Sequence, residues 1–165
     1  TEFSDLNSPS HYRYGRSPIM DTVEVAIAIL YQNNRCLLQL RDDIPSILYP
    51  GHWAFFGGHL EPGEIPEIGV RRELMEEIGY DAPSLSLFER RQIGNIIRHI
   101  YYGPLTVTVE DLILTEGMDK KLCNRDEIEQ GQAHSAKINQ MRPIGSPHRQ
   151  ILLDFLAADL IGKHL

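Results

Sequence analysis

Cysteine is nearly absent: only Cys36 and Cys123 occur. So few exclude a disulfide-stapled scaffold, and they read as two reduced thiols. They form no zinc-ligand spacing, and neither do His52, His59, His99 and His134, so these four of the seven histidines read as non-ligands. No apolar run is long enough to span a membrane. The N-terminal residues lack a positive stretch followed by an apolar one, so no secretory signal is expected and the cytoplasm is the default compartment. Positive charge is scarce too: 16 Lys and Arg face 23 Asp and Glu, for a net charge of -7. A general nucleic-acid-binding surface needs a basic excess or patch, and none is expected here. No internal repeat is visible.

What is present suits an ordinary globular protein. Hydrophobic residues make up 42% and charged residues 24% of 165 positions, enough to bury a core without staples. Residues 1–20 carry Pro9, Gly15, Pro18 and four serines and read as a polar leader. Residues 21–165 are expected to form one domain.

From Val23 the chain alternates. Val23, Val25, Ile27 and Ile29 share one face, and Ala26, Ala28 and Leu30 the other, which predicts a strand buried on both sides. Gln32, Asn33 and Asn34 are turn formers, so Cys36 to Arg41 reads as the returning strand. A loop follows to His52, then a short aromatic strand from Trp53 to Phe56, then a glycine loop from Gly57 to Ile65. Pro66 suits a first helical turn and Gly79 a stop, so the prediction is a helix from Pro66 to Ile78. Its expected buried stripe is Ile68, Val70, Leu74, Met75 and Ile78. Further strands are expected over Leu85 to Ile93, Ile97 to Val109 and Asp111 to Leu114. Thr115 to Arg142 is polar and resists assignment. Ser146 followed by Pro147 signals a last helix, with Ile151, Leu152, Phe155, Leu156 and Leu160 on one face. This order fits an α/β fold with a mixed sheet and a helix on each side.

The helix from Pro66 carries Glu73, Glu76 and Glu77, three and four residues apart, so their carboxylates share one face. Glu64 lies just before it. Carboxylates so arranged repel one another, and a hard divalent cation such as Mg²⁺ compensates them well. Arg72 offers a second compensating charge. Gly57 and Gly58 free the backbone to turn a carbonyl toward such an ion.

The stretch from Gly58 through Glu64 and Arg72 to Tyr80 resembles the box of the Nudix hydrolase family, GX5EX7REUXEEXGU, where U is a bulky aliphatic residue. Gly58, Glu64, Arg72, Glu73, Glu76, Glu77 and Gly79 match its fixed identities, and Leu74 fits the first aliphatic position. Agreement at this many spaced positions has a chance frequency on the order of one in 10^8 per start site. Tyr80 departs from the final aliphatic position, and Phe56 stands where the family usually has proline. The resemblance spans roughly Val23 to Leu160. It implies the family's α/β/α sandwich and cleavage of a diphosphate bond in a nucleotide-like small molecule with Mg²⁺, or Mn²⁺ in its place.

Carried over residue by residue, the resemblance implies metal ligands at the Gly57 carbonyl, Glu73, Glu76 and Glu77. It implies that Arg72 orients a box glutamate and that Glu64 supports the loop-helix geometry. Glu116, in the Glu116-Gly117 pair that resembles MutT-type enzymes, ranks first as a further ligand or general base, and Glu127 second. Arg41 and Gly58 are expected at the substrate, Arg41 on a phosphate. Trp53, Phe55 and Phe56 read as core rather than as base-stacking platforms. The family's ADP-ribose proline, its NADH-type motif and the MutT asparagine all lack counterparts here, with Gly145 near the last position, which leaves nucleoside triphosphates and nucleotide sugars. A homodimer is expected by analogy alone. The alternatives are a nucleotide-binding sensor without hydrolysis and an isoprenoid-diphosphate isomerase, the second poorly served by Cys36 and Cys123.

Overall fold

In the structure, a computed structural model, residues 21–161 are described; the polar leader expected over residues 1–20 lies outside them. The alternation from Val23 forms strand β1 (Val23–Gln32). Asn33 and Asn34 take the left-handed backbone of a tight turn, and β2 (Arg35–Leu40) returns antiparallel. After β2 come β3 (Trp53–Ala54), β4 (Phe56–His59), helix α1 (Pro66–Ile78), β5 (Ser86–Ile93) and β6 (Ile96–Pro104). The order β3-β2-β1-β6-β5 builds the central sheet, with β1 and β6 parallel and the other pairs antiparallel.

One edge of β1 is shared by two partners. Val25 to Ala28 pair with His59 to Phe56 of β4, whereas Tyr31 and Gln32 pair with β2. Beyond the turn β2 pairs instead with β3 and with β7 (Asp119–Cys123). The sheet therefore divides beside β1, and the candidate site lies at that division.

The two faces of β1 bury different cores. Ala26, Ala28 and Leu30 pack with Phe56 and with Val70, Leu74 and Ile78 of α1. Ile27, Ile29 and Tyr31 pack with Trp53, Phe55 and the last helix, α3 (Ser146–Ala157), through Ile151, Leu152 and Phe155. Each large apolar side chain buried this way contributes about 1.5–3 kcal/mol. A mixed sheet between two helical layers is the α/β/α sandwich expected.

Helix α1 has the predicted bounds. Gly79 closes it in the left-handed conformation, its N–H donating to the Met75 carbonyl and that of Tyr80 to Leu74. The buried stripe is narrower than expected: Val70, Leu74 and Ile78, four residues apart, face the sheet, while Ile68 and Met75 are about half exposed. Gly69 is buried in α1, and a side chain there would collide with Leu60. Tyr80 occupies the box's aliphatic position with its ring buried and its hydroxyl satisfied. That hydroxyl donates to the Pro104 carbonyl (3.1 Å) and accepts from the Thr106 N–H (3.0 Å). Tyr80→Phe strands both groups and is expected to cost about 1–3 kcal/mol in urea unfolding; an unchanged midpoint would show that water replaces the hydroxyl.

Other expectations need correction. The strand predicted to reach Val109 ends at Pro104, and Val109–Asp111 is a short 3-10 turn. The strand expected over Asp111 to Leu114 is absent, because the N–H groups of Ile113 and Thr115 donate to the Ile78 and Glu77 carbonyls at the end of α1. The unassigned polar segment contains β7, helix α2 (Arg125–Gln130) and a small two-stranded sheet of β8 (Gln132–Ser135) and β9 (Gln140–Pro143). The cap of α3 is Gly145 rather than Ser146, and the helix stops before Leu160. Cys36 and Cys123 are buried and free, opposite each other across β2 and β7, and burial pushes the Cys36 thiol up to about 12. Among the described residues no helix is long and apolar enough to cross a membrane.

Candidate active site

Where the sheet divides, a cavity of about 660 Å³ opens. One wall is acidic: Glu73, Glu76 and Glu77 from α1, with Glu116 from the loop before β7. The loop between β2 and β3 supplies Arg41 and Tyr49, and the floor includes Val25, Phe55, Arg98 and His148.

Each glutamate is held differently. Arg72 takes Glu64 in a two-pronged fork, Nε to Oε2 at 2.8 Å and Nη2 to Oε1 at 2.9 Å. This pairing holds the Glu64 carboxyl down to about 2. The third nitrogen of Arg72 reaches Glu73 (3.1 Å) and Glu76 (3.2 Å), while Nη2 also donates to the His59 carbonyl. One guanidinium thus joins the loop before α1 to two carboxylates on α1. Burial pushes the Glu73 carboxyl up against the pull of Arg72. Lysine is a point charge without a fork, so Arg72→Lys is expected to lower kcat by about 10–100-fold. The melting temperature should change little, because partly exposed ion pairs contribute little to stability. Steady-state kinetics beside a thermal melt check this; an unchanged kcat would remove Arg72 from the site's geometry.

Glu77 turns inward. Its Oε1 accepts the Gly57 N–H at 2.9 Å and its Oε2 accepts from the Gln39 amide at 3.3 Å. Those bonds favour the ionised form, yet burial dominates, and with the nearby charges of Glu73 and Glu116 the carboxyl rises to about 8. Gly57 sits at φ 137°, and an added Cβ would lie 2.2 Å from the Ala26 carbonyl oxygen. A Cβ on Gly58 would instead lie 2.7 Å from the Glu73 carboxyl carbon. The two glycines therefore let backbone and carboxylates approach. Thr115 fixes Glu116: its hydroxyl donates to the Glu76 carbonyl (3.0 Å) and its N–H to that of Glu77 (3.0 Å).

The structure brings Gly57, Gly58, Arg41, Glu73, Glu76, Glu77 and Glu116 to one cavity. It does not converge them on a point: among the described residues no three His, Cys, Asp or Glu side chains are arranged to hold a metal ion, because Glu73 and Glu76 lean to Arg72 and Glu77 to Gly57. Arg41 spends its Nε on the Leu48 carbonyl (2.7 Å), bracing the loop whose residues line the cavity. Glu127 is elsewhere: it completes a capping box with Asn124 and pairs with Lys121. Trp53 is core, its indole N–H bonded to the Ala133 carbonyl. Phe56 is core as well, and Phe55 both lines the cavity and packs on His148.

Sequence reasoning assigned no role in the site to Gln39, Tyr49, Arg98 and His148. A signal existed for Arg98: in β6 it shares one face with Ile100 and Tyr102, which pack in the core, an inward position where an arginine is out of place.

The fold agrees with comparisons to known proteins. Two curated relatives are nucleoside triphosphatases NudI, from Enterobacter sp. (strain 638) at 42% identity and from Salmonella newport at 44%, each over 50 residues that are 30% of this chain and 36% of the relative. The match thus spans about a third of those relatives. The fold resembles a MutT protein from Methanosarcina mazei Go1 (TM-score 0.67, 18% identity, covering 87% of this chain and 99% of that one). It also resembles the NUDIX domain of Shewanella oneidensis NrtR solved with ADP ribose (TM-score 0.63, 17% identity, 92% and 98% covered). The family model described as NUDIX domain matches residues 20–155, which takes in the whole site and nearly all of the described fold, and the chain belongs to the NUDIX family.

Proposed function

We propose that the protein is a hydrolase that cleaves a diphosphate bond in a nucleoside triphosphate or nucleotide sugar, with Mg²⁺ or Mn²⁺ held by its acidic wall. The observation that carries this is the gathering of Glu73, Glu76, Glu77 and Glu116 on one side of a cavity large enough for a nucleotide. The donors on that wall are oxygens alone, the set a hard divalent cation prefers. Gly58 leaves the Glu73 carboxylate room that a Cβ would take. Glu73, Glu76, Glu77 and the Gly57 carbonyl are the proposed ligands, with Glu116 beside them. The cation would neutralise phosphate charge and acidify a water.

The chain's own residues do the rest. Arg41, with its Nε engaged by Leu48, presents its other nitrogens to a phosphate. Arg72 keeps Glu73 and Glu76 oriented. Glu116, anchored through Thr115, is the proposed base that takes the proton of the attacking water. Nucleoside triphosphates head the list because the NudI relatives carry that activity in their names.

The test is a phosphate-release screen with Mg²⁺ and then Mn²⁺ across nucleoside triphosphates, nucleotide sugars, ADP-ribose and dinucleoside polyphosphates. Turnover that disappears in Glu76→Gln supports the proposal. Tight nucleotide binding with no turnover would replace it with a sensor role.

A further inference from the structure

The ladder between β2 and β7 runs from Cys36 opposite Cys123 to Leu40 opposite Asp119, and the Met118 N–H donates to the Leu40 carbonyl at 2.8 Å. It goes no further, because the next two residues of the β2 side turn their backbone the other way. The Arg41 N–H donates to the His52 carbonyl, and the carbonyls of Arg41 and Asp42 both accept the Gly51 N–H. Gly117 lies just past the last ladder bond, half-buried, and its N–H needs a different acceptor. The Asp42 side chain supplies one: the Gly117 N–H donates to its Oδ2 at 3.3 Å. Gly117 has a φ of 90°, and a Cβ there would lie 2.9 Å from the Leu40 carbonyl oxygen, so only glycine lets the chain run this close to β2.

Glu116 is the residue between these anchors. Its side chain is exposed, so its place depends on the backbone that carries it. On one side Thr115 is bonded to the Glu76 and Glu77 carbonyls at the end of α1. On the other, Gly117 and Met118 are bonded to Asp42 and Leu40. Asp42 also lines the cavity, directly after Arg41.

Given the hydrolase reading above, on which this rests, we propose that Asp42 is a positioning residue that sets the place of Glu116 by clipping the Gly117 N–H. The phosphate contact at Arg41 and the placing of the base then hang on one dipeptide at the end of β2. What Asp42 contributes is an acceptor rather than a charge. Asparagine, whose amide oxygen accepts the same N–H, can therefore stand in for it, whereas alanine cannot.

The experiment has two arms. In the first, amide hydrogen exchange at Gly117 is followed by NMR in chelator for wild type, Asp42→Ala and Asp42→Asn, with Met118 as the internal reference. Exchange at Gly117 should be at least about tenfold faster in Asp42→Ala and within about threefold of wild type in Asp42→Asn. In the second, kcat and KM are measured with Mg²⁺ and a nucleoside triphosphate. Asp42→Ala should lower kcat about 10–100-fold with KM little changed, and Asp42→Asn should restore most of that loss. In a Glu116→Gln background Asp42→Ala should cost no more than about twofold further, because the group it places is already lost. Unchanged Gly117 exchange in Asp42→Ala would overturn the proposal. So would an additive loss in the Glu116→Gln background, or an Asp42→Asn as inactive as Asp42→Ala, which would make Asp42 act through its charge on the cation. The exchange arm needs neither metal nor turnover. A wild type silent in the hydrolysis screen, with fast Gly117 exchange in Asp42→Ala, would thus sink the hydrolase reading and keep the clip.

Discussion

Glu77→Gln is expected to lower kcat about a thousandfold and, in chelator at pH 8.5, to raise the melting temperature. The two effects share one cause. The Glu77 carboxyl is held at about 8 rather than its ordinary 4.5, chiefly by burial. Because the folded form binds the proton more tightly, the unfolded chain carries fewer protons between those values, and stability falls as pH rises through that window. The full penalty is present above about 8 and amounts to a few kcal/mol. Glutamine removes the charge but can satisfy only one of the Gly57 and Gln39 donors through its oxygen, which offsets about 1 kcal/mol of the gain. The variant should therefore be more stable than wild type at pH 8.5, and the advantage should shrink and vanish toward pH 4.5. Melts in chelator across that range, beside kcat with Mg²⁺, check both halves. A variant less stable than wild type at pH 8.5 would show that Glu77 is held by its hydrogen bonds rather than strained by burial.

The paired glycines should separate fold from function. Gly57→Ala puts a methyl group 2.2 Å from the Ala26 carbonyl oxygen, at a φ of 137° that side chains rarely adopt. Neither backbone can yield without breaking the β1–β4 ladder, so a loss of more than about 3 kcal/mol and little folded protein are expected. Gly58→Ala meets only the end of the Glu73 side chain, which can swing aside. That variant should fold, with a melting temperature within a few degrees of wild type, and should lose activity about a hundredfold because Glu73 no longer stands where Arg72 holds it. Circular dichroism melts and single-substrate kinetics on the two proteins decide it. Full activity in Gly58→Ala would take Glu73 out of the site.

What was legible in the residues follows from periodicity. The two-residue alternation of β1 and the Pro66–Ile78 helix are regular; the helix, bounded by proline and glycine, has the expected bounds, and β1 starts at Val23 as expected but takes in Gln32, a turn former. Ile68 and Met75 were assigned to the stripe on hydrophobicity alone, although only Val70, Leu74 and Ile78 share the face that meets the sheet. The segment after Thr115 was opaque because its order comes from capping and side-chain bonds, such as Asn124 with Glu127 and Ser135 with Asp119, rather than from an apolar rhythm. Glu73, Glu76 and Glu77 were legible because their spacing on one helix by itself puts them on one face. The rest of the cavity lining was not, because Gln39, Tyr49, Arg98 and His148 come from separate elements that only the sheet's division brings together.

The most direct test of the central claim is to follow a nucleoside triphosphate by phosphorus NMR while Mg²⁺ is titrated into chelated protein, with Glu77→Gln in parallel. No turnover is expected before Mg²⁺ is added, then nucleoside monophosphate and pyrophosphate from wild type alone. Turnover that is independent of Mg²⁺, or that continues undiminished in Glu77→Gln, would contradict it.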